Sequence, residues 1–248
     1  MIQQLIHAAK TLSAEVERLK FAAPVAYVYN PLRYAWQGHE AYLRLYGDGH
    51  KKVVFLGMNP GPFGMVQTGV PFGEIQAVRD WMGIEAIIGK PERQHPKRLV
   101  DGFACKRSEV SGRRLWGLFA ERFPSAADFF ADHLVVNYCP LAFLEEGGAN
   151  RTPNKLPADE KLKLFSVCDD HLRQVVRILQ PEWLLAIGGF AEICASRVIS
   201  GPSPKIATIL HPSPASPAAN RDWSGLAKAK LEEIGVWEQG LHCARGAA

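Results

Sequence analysis

Residues 53–74, VVFLGMNPGPFGMVQTGVPFGE, join a short apolar run to a loop rich in glycine and proline. The run VVFLGM (53–58) has the length and composition of a buried strand. In the first loop (residues 57–74), glycines allow tight turns and close backbone approach, and prolines stiffen the chain. Because the loop carries almost no charge, it is predicted to form a rigid pocket wall for a flat apolar ring.

The first loop follows a strand, as phosphate-binding loops do. It matches neither GxxxxGK[ST] nor GxGxxG, and it offers no lysine to a triphosphate. A nucleoside triphosphate site is therefore not expected. The candidate pocket residues are Phe63, Met65 and Phe72, with ordinary packing under the loop as the alternative interpretation of each.

The rest of the chain alternates between apolar runs of strand length and amphipathic segments of helix length. Predicted strands cover residues 53–58, 134–140, 183–189 and 205–211. Predicted helices cover residues 2–20, 74–83, 111–123 (with Ser111 as its cap), 158–180, 190–199 and 222–235. This alternation predicts a parallel sheet with helices on both faces, a three-layer α/β/α fold. We expect one domain over residues 1–248, with residues 236–248 as a loose tail.

Ligands of such sheets bind beyond the carboxyl ends of the strands. Three of the four predicted strands end in a polar side chain, namely Asn59, Asn137 and His211. These residues are therefore the candidate functional groups, although a single histidine at a strand end is more often structural than catalytic. His211 opens a second stiff loop, HPSPASPAANR (211–221), whose prolines and small residues suit insertion into a partner.

Composition places the protein among ordinary globular proteins, with 47% hydrophobic and 22% charged residues. No apolar run is long enough to span a bilayer, and the N-terminus lacks the features of a signal peptide. The five cysteines are widely spaced without a CxxC pair, which argues against a disulfide framework, a zinc finger or an iron–sulfur cluster. We expect free thiols in a reducing cytoplasm.

Positive charge is concentrated in one segment, the basic stretch (residues 90–114), KPERQHPKRLVDGFACKRSEVSGRR. It holds eight Lys or Arg and three acidic residues, whereas the rest of the chain is close to neutral. Such a patch indicates a partner that carries phosphates, and a solvated surface loop is the alternative.

The first loop and HPSPASPAAN (211–220) together resemble the two active-site motifs of the single-strand-selective monofunctional uracil-DNA glycosylases. Further stretches resemble the same family in order: YNPLRYAW (29–36), VRDWMGI (78–84), HPKR (95–98), SEVSG (108–112) and NYCPLAFL (137–144). The resemblance covers roughly residues 20–235. It implies the uracil-DNA glycosylase fold, with a central four-stranded parallel sheet flanked by helices, and excision of uracil from DNA in base excision repair.

The resemblance also implies how the base is held after it is flipped out of the DNA stack. Phe72 would stack on the base, and the Asn137 amide would donate to O4 of uracil and accept from N3–H. Cytosine presents the reverse pattern and is rejected. Gly61 would leave space beside C5 for substituents such as hydroxymethyl. The remaining substrate-binding candidates are Met58, Phe63 and Met65.

Asn59 and His211 are the candidate catalytic residues. No carboxylate occurs between residues 57 and 73, where many related glycosylases carry an aspartate, and an asparagine is not a strong base. We therefore expect a dissociative reaction, in which Asn59 positions water and His211 donates a hydrogen bond to O2 of the departing uracil anion. Backbone N–H groups near Met58 would assist.

The loop after His211 is expected to wedge into the duplex. Its candidate DNA contacts are Ser213, Pro214, Ala215, Ser216, Pro217 and Arg221, with Lys205 flanking the loop. Several relatives carry an arginine where Ala215 stands, so the strength of duplex opening is left open. The expected partner is single- or double-stranded DNA, bound by a monomer.

No metal-binding pattern or cofactor motif is present, and no lysine nucleophile adjoins the pocket, so we expect base release without strand cleavage. The expected location is the cytoplasm, at the nucleoid of a prokaryote or in the nucleus of a eukaryote. Three alternatives stay open: a catalytically inactive nucleobase- or DNA-binding domain, a hydrolase of small nucleosides or nucleotides, and a specificity that extends to xanthine or hypoxanthine.

Overall fold

The computed structural model describes residues 1–238 of the chain. Its helices are α1 (Ile2–Glu17), α2 (Pro31–Tyr34), α3 (Trp36–Tyr46), α4 (Met65–Thr68), α5 (Val110–Arg122), α6 (Ala126–Asp132), α7 (Ala158–Leu179), α8 (Gly189–Val198) and α9 (Pro217–Glu233). Its strands are β1 (Val25–Tyr29), β2 (Val53–Gly57), β3 (His133–Asn137), β4 (Ala142–Glu145), β5 (Asn150–Arg151), β6 (Trp183–Ile187) and β7 (Lys205–Ile209).

The central sheet contains four parallel strands in the order β3-β2-β6-β7. All five residues of β2 are buried, as expected of a strand that is covered on both faces. Helix α1 packs against α7, and α5 packs against α9. The predicted fold class, a four-stranded parallel sheet flanked by helices, is confirmed.

The strand order fixes where a ligand can enter. The chain runs from β2 to β3 on one side and later crosses to β6 and β7 on the other side. This reversal creates a crevice at the carboxyl end of β2, where α/β sheets bind their ligands. Gly57 is paired in register with Asn137 across β2 and β3. The first loop, the end of β3 and the loop after β7 therefore open onto one edge.

A second, antiparallel sheet with the order β1-β4-β5 was not expected from the sequence. Its strands β1 and β4 have five and four residues, and β5 has only two. A strand of two residues, such as β5, carries no periodic signal. Strand β4 begins five residues after Asn137, so the small sheet stabilises the segment that leaves β3.

Several predicted boundaries differ from the structure. Ser111 was expected to cap a helix, but α5 begins at Val110 and its N-cap residue is Glu109. The predicted helix over residues 74–83 is mainly a π-helical turn, Ala77–Trp81. A first helical segment of α9 begins at Pro217, where Ser216 caps it through a hydrogen bond from the Ala219 N–H, and it was not predicted. The helix is kinked at Asp222, which is where the predicted helix begins.

The C-terminal end of the described chain is packed, whereas the sequence suggested a loose tail from residue 236. Trp237 is only 5% exposed, and its ring lies 6.1 Å from the rings of both Phe119 and Phe123. The packed part therefore reaches at least Trp237. The rest of the predicted tail, residues 239–248, lies outside the described residues.

The cysteines at positions 105, 139, 168 and 194 are free thiols, as expected, and Cys243 lies outside the described part of the chain. Among residues 1–238, no helix has the length and apolar character that crossing a membrane requires.

Candidate active site

Four residues converge at the carboxyl edge of the sheet. Gly57 ends β2, and a Cβ atom built on it would overlap both the Asn137 amide oxygen and the Phe72 ring. The ring centroids of Phe72 and His211 are 6.0 Å apart. The structure thus brings together Phe72 from the first loop, Asn137 from the end of β3 and His211 from the loop after β7. Gly57 leaves room for Phe72 and Asn137.

Phe72 has an unusual backbone conformation. Its φ angle is +52°, in the left-handed region, which costs a residue other than glycine about 1–3 kcal/mol. The Trp116 indole N–H donates to the Phe72 carbonyl at 3.0 Å, and Gly112 lets α5 approach that same carbonyl closely. Helix α5 therefore holds the Phe72 ring at the edge of the sheet.

The Asn137 side chain presents one donor and one acceptor to the pocket. Its Nδ2 lies 3.3 Å from the sulfur of Met65, and the residue is only 8% exposed. Its Oδ1 is buried and has no hydrogen-bond partner among the described residues. Leaving a buried acceptor unpaired is costly, so this oxygen is suited to receive an N–H group from a ligand.

His211 follows β7 and lies beside Gly188, which has a φ of +89° and follows β6. A Cβ on Gly188 would come within 2.9 Å of His211 Cβ, so glycine permits this close approach. Burial lowers the pKa of His211 below its ordinary value of 6.5. At neutral pH the imidazole is therefore uncharged and has one N–H to donate.

Asn59 lies two residues beyond the end of β2. Its Nδ2 donates to the Leu141 carbonyl at 3.1 Å, which fixes the orientation of the amide and leaves Oδ1 to accept from water. The Cys139 N–H donates to the Met58 carbonyl at 2.9 Å. The beginning of the first loop is therefore attached to the segment after β3.

One further group at the site was missed in the sequence. The Glu109 carboxyl contacts the first loop at Gly61 and Gly64, where it fills the space that a Cβ atom would need. The space expected beside Gly61 is thus bordered by this carboxyl group. Burial, and to a smaller extent the nearby Glu74, raise the pKa of Glu109 to about 7.

Replacing Glu109 with Gln is expected to change how stability depends on pH. From its ordinary value of 4.5 up to about 7, the folded protein holds a proton on Glu109 that the unfolded chain releases. The wild-type free energy of unfolding therefore falls as pH rises through this window. Glutamine does not titrate, so the Glu109→Gln variant should gain up to about 3 kcal/mol relative to wild type between pH 4.5 and pH 8. Urea unfolding at several pH values measures this gain, and a pH-independent difference would contradict it.

The loop after His211 is held in a defined shape. The Ala215 N–H donates to Ser213 Oγ at 3.1 Å, and the Asn220 amide donates to the Pro214 carbonyl at 2.8 Å. Arg114, in the basic stretch, donates to the Pro212 carbonyl and to Asn220 Oδ1 at 3.1 and 2.9 Å. Pro214, Ala215 and Pro217 are exposed, so a rigid tip projects beside His211.

The basic stretch also meets the first loop, through Phe63. The Arg107 guanidinium lies 3.9 Å from the centroid of the Phe63 ring, and that of Arg98 lies 5.5 Å from it. Phe63, which was expected to line the pocket, therefore connects the first loop to the basic stretch. Arg221 is exposed on α9.

Lys205 does not flank the last loop, contrary to expectation. It is the first residue of β7, whereas the loop follows the last residue, Ile209. A strand of this length separates the two by roughly 13 Å. Lys205 lies instead over the ring of Trp183, at 5.2 Å from its centroid, at the opposite edge of the sheet.

Comparison with known proteins agrees with this architecture. The family model of the uracil DNA glycosylase superfamily matches residues 45–234. The single-strand selective monofunctional uracil-DNA glycosylase of Rattus norvegicus is 46% identical over 227 residues, which cover 91% of this chain and 82% of the rat protein. The Mus musculus protein of that name is 45% identical over 227 residues, 91% of this chain and 81% of its own.

The fold is also found in a distant solved structure. The crystal structure of SMUG2 from Pedobacter heparinus has a TM-score of 0.65 and 17% identity, and the match covers 92% of this chain and 97% of that one. The family resemblance noted in the sequence motifs is confirmed by the relatives, which align over nearly the whole chain. This chain belongs to the uracil-DNA glycosylase superfamily.

Proposed function

We propose that this protein is a monofunctional DNA glycosylase that hydrolyses the N-glycosidic bond of uracil and of 5-substituted uracils, such as 5-hydroxymethyluracil, in single- and double-stranded DNA. Family membership and the names of its relatives support uracil as the substrate. The observation that carries the proposal is the convergence of Phe72, Asn137 and His211 around Gly57. The product is an abasic site, so the protein acts in base excision repair.

Asn137 recognises uracil through the donor and the acceptor of its side-chain amide. Its Nδ2 donates to O4, and its buried, unpaired Oδ1 accepts from N3–H. Cytosine would place an amino group against Nδ2 and a bare ring nitrogen against Oδ1, so neither hydrogen bond would form. Phe72 covers one face of the flipped base.

Bond cleavage depends on stabilising the departing base. As the C1′–N1 bond breaks, its electron pair moves into the uracil ring, and negative charge grows on O2. The neutral His211 donates its N–H to that oxygen. Water held by Asn59 Oδ1 adds to C1′ of the sugar cation, and its proton passes through solvent to the departed uracil anion, so no strong base is required.

The rigid tip beside His211 fills the gap that the flipped nucleotide leaves. Its backbone is held by Asn220 and Arg114, so Pro214 and Ala215 are presented without further ordering. Because Ala215 is small, the wedge interacts weakly with the opposite strand, which favours single-stranded DNA. The relatives carry single-strand selectivity in their names.

We propose that the protein acts as a monomer on cellular DNA, at the nucleoid or in the nucleus.

Replacing Arg107 with Ala is expected to weaken DNA binding in a salt-dependent manner. Its guanidinium covers Phe63 at the border between the first loop and the basic stretch, where a phosphate can approach. The slope of log K against log salt is negative, and loss of one phosphate contact reduces its magnitude by about 1, or by slightly less for a single strand. Binding titrations at several salt concentrations measure the slope. Lys205→Ala, at the opposite edge of the sheet, is the control, and equal slopes in all three proteins would contradict the prediction.

The proposed function is tested by single-turnover release of base from oligonucleotides. Each carries uracil, 5-hydroxymethyluracil or hypoxanthine, either single-stranded or paired, and free deoxyuridine monophosphate serves as a further substrate. Release of the first two bases from DNA, with an alkali-labile but uncut strand, is the expected result. Release of hypoxanthine would extend the specificity, and hydrolysis of only the free nucleotide would indicate a small-molecule hydrolase. No release from any substrate would indicate an inactive binding domain.

A further inference from the structure

A buried carboxyl group beside the first loop has no role in the mechanism described so far. Glu109 Oε2 has no hydrogen-bond partner among the described residues, although it lies in contact with Gly61 and Gly64. The neighbouring buried acid Glu74 differs, because its Oε2 accepts from the Ala77 N–H at 3.0 Å. Glu109 therefore has unused hydrogen-bonding capacity directly at the pocket wall.

The orientation of the bound base determines which edge of its ring lies beside Glu109. Asn137 Nδ2 is the donor for O4, and the Met65 sulfur lies 3.3 Å from that nitrogen. The O4 side of the ring therefore faces Met65. In uracil, C5 is bonded to C4 on the side away from N3, so C5 also points in this direction. Gly64 immediately precedes Met65 and contacts Glu109. In the proposed mechanism His211 pairs with O2, on the opposite side of the ring.

We propose that Glu109 determines specificity at C5 of the bound base, by pairing its carboxyl group with a hydroxyl-bearing substituent and by disfavouring an apolar one. The inference deepens the proposed function and rests on it. The residue contacts the substrate without taking part in bond cleavage.

Size alone cannot provide this discrimination. A pocket that admits a hydroxymethyl group at C5 is also wide enough for the smaller methyl group of thymine, which is a normal base of DNA. A methyl group would cover the buried oxygen of Glu109 and leave it unpaired, whereas a hydroxyl group would pair with it. Sites built to hydrogen-bond a substrate group discriminate strongly against an analogue that lacks the group. Uracil has only hydrogen at C5, which leaves room for water to reach the carboxyl.

The experiment compares two kinds of substitution in the full chain. Glu109→Met keeps the length of the side chain but removes its polar atoms, and Glu109→Ala removes them by truncation. Glu109→Gln retains a hydrogen-bonding head of the same shape. Single-turnover release is measured for uracil, 5-hydroxymethyluracil and thymine in otherwise identical single-stranded oligonucleotides. The ratio of hydroxymethyluracil to uracil release should fall about tenfold or more in the Met and Ala variants. In the Gln variant the ratio should stay within about threefold of wild type.

The ratio of hydroxymethyluracil to uracil release distinguishes a role of Glu109 in specificity from a role in supporting the first loop. If Glu109 only stabilised the first loop, the Met and Ala variants would lose both activities equally, and the ratio would not move. That result would overturn the inference, as would a ratio that falls equally in the Gln variant. Glu74→Gln is the matched control, since its paired carboxyl should leave the ratio unchanged. Failure of the wild-type protein to release uracil would instead contradict the proposed function, so the two failures are distinguishable.

Discussion

His211→Ala is expected to lower single-turnover release of uracil by a factor on the order of 100 to 1,000, equivalent to about 3–4 kcal/mol. In the proposed mechanism the imidazole N–H donates to O2, where charge develops as the glycosidic bond breaks. Burial lowers the pKa of His211, so the donor is neutral and its strength does not depend on protonation at neutral pH. Binding of uracil-containing DNA should change little, because the hydrogen bond strengthens mainly in the transition state.

Two further substitutions test whether the loss of activity is specific to the hydrogen bond from His211. His7 is exposed on α1, away from the pocket, and His7→Ala should leave the rate of release unchanged. His211→Asn keeps a side-chain N–H in the same region and should lose less activity than His211→Ala. If His211→Ala released uracil as fast as wild type in a single turnover, His211 would be a structural residue of the strand end.

The position of the site could be predicted because its supporting strands are buried on both faces. Such strands appear as continuous apolar runs, and β2, β3 and β6 were recognised in this way. The edge strand β7 is only partly buried, and it was placed by its apolar residues between two helical segments. Their carboxyl ends lie at one edge of a parallel sheet, so Asn59, Asn137 and His211 followed directly as candidates. The assignment of roles to these side chains depended on the resemblance of the motifs to a known family.

Glu109 could not be predicted, because its surroundings arise only in the folded chain. In the sequence it lies among Arg107, Arg113 and Arg114, and composition there indicates a solvated surface. Its burial results from the approach of the start of α5 to Gly61 and Gly64. The left-handed conformation of Phe72 is equally invisible in the sequence, since it depends on the hydrogen bond from Trp116.

Gly57→Ala is the second substitution with a large expected effect, a loss of uracil release of about 100-fold or more. The added methyl group would overlap the Asn137 amide oxygen and the Phe72 ring at once. Both side chains would have to move, and a displacement of about 1 Å in a binding group can cost about 100-fold in rate. The measurement is single-turnover release at saturating enzyme, with the free energy of unfolding determined in parallel.

A matched glycine distinguishes loss of the pocket from loss of the fold. A Cβ on Gly117, within α5, meets no atom within 4 Å, so Gly117→Ala should keep full activity and gain about 0.5–1 kcal/mol of stability. The groups that obstruct a Cβ at Gly57 are side chains of the pocket rather than backbone, so Gly57→Ala should lose far more activity than stability. If Gly57→Ala excised uracil at the wild-type rate, Asn137 and Phe72 would not form the base-binding pocket, and the assignment of both residues would fail together.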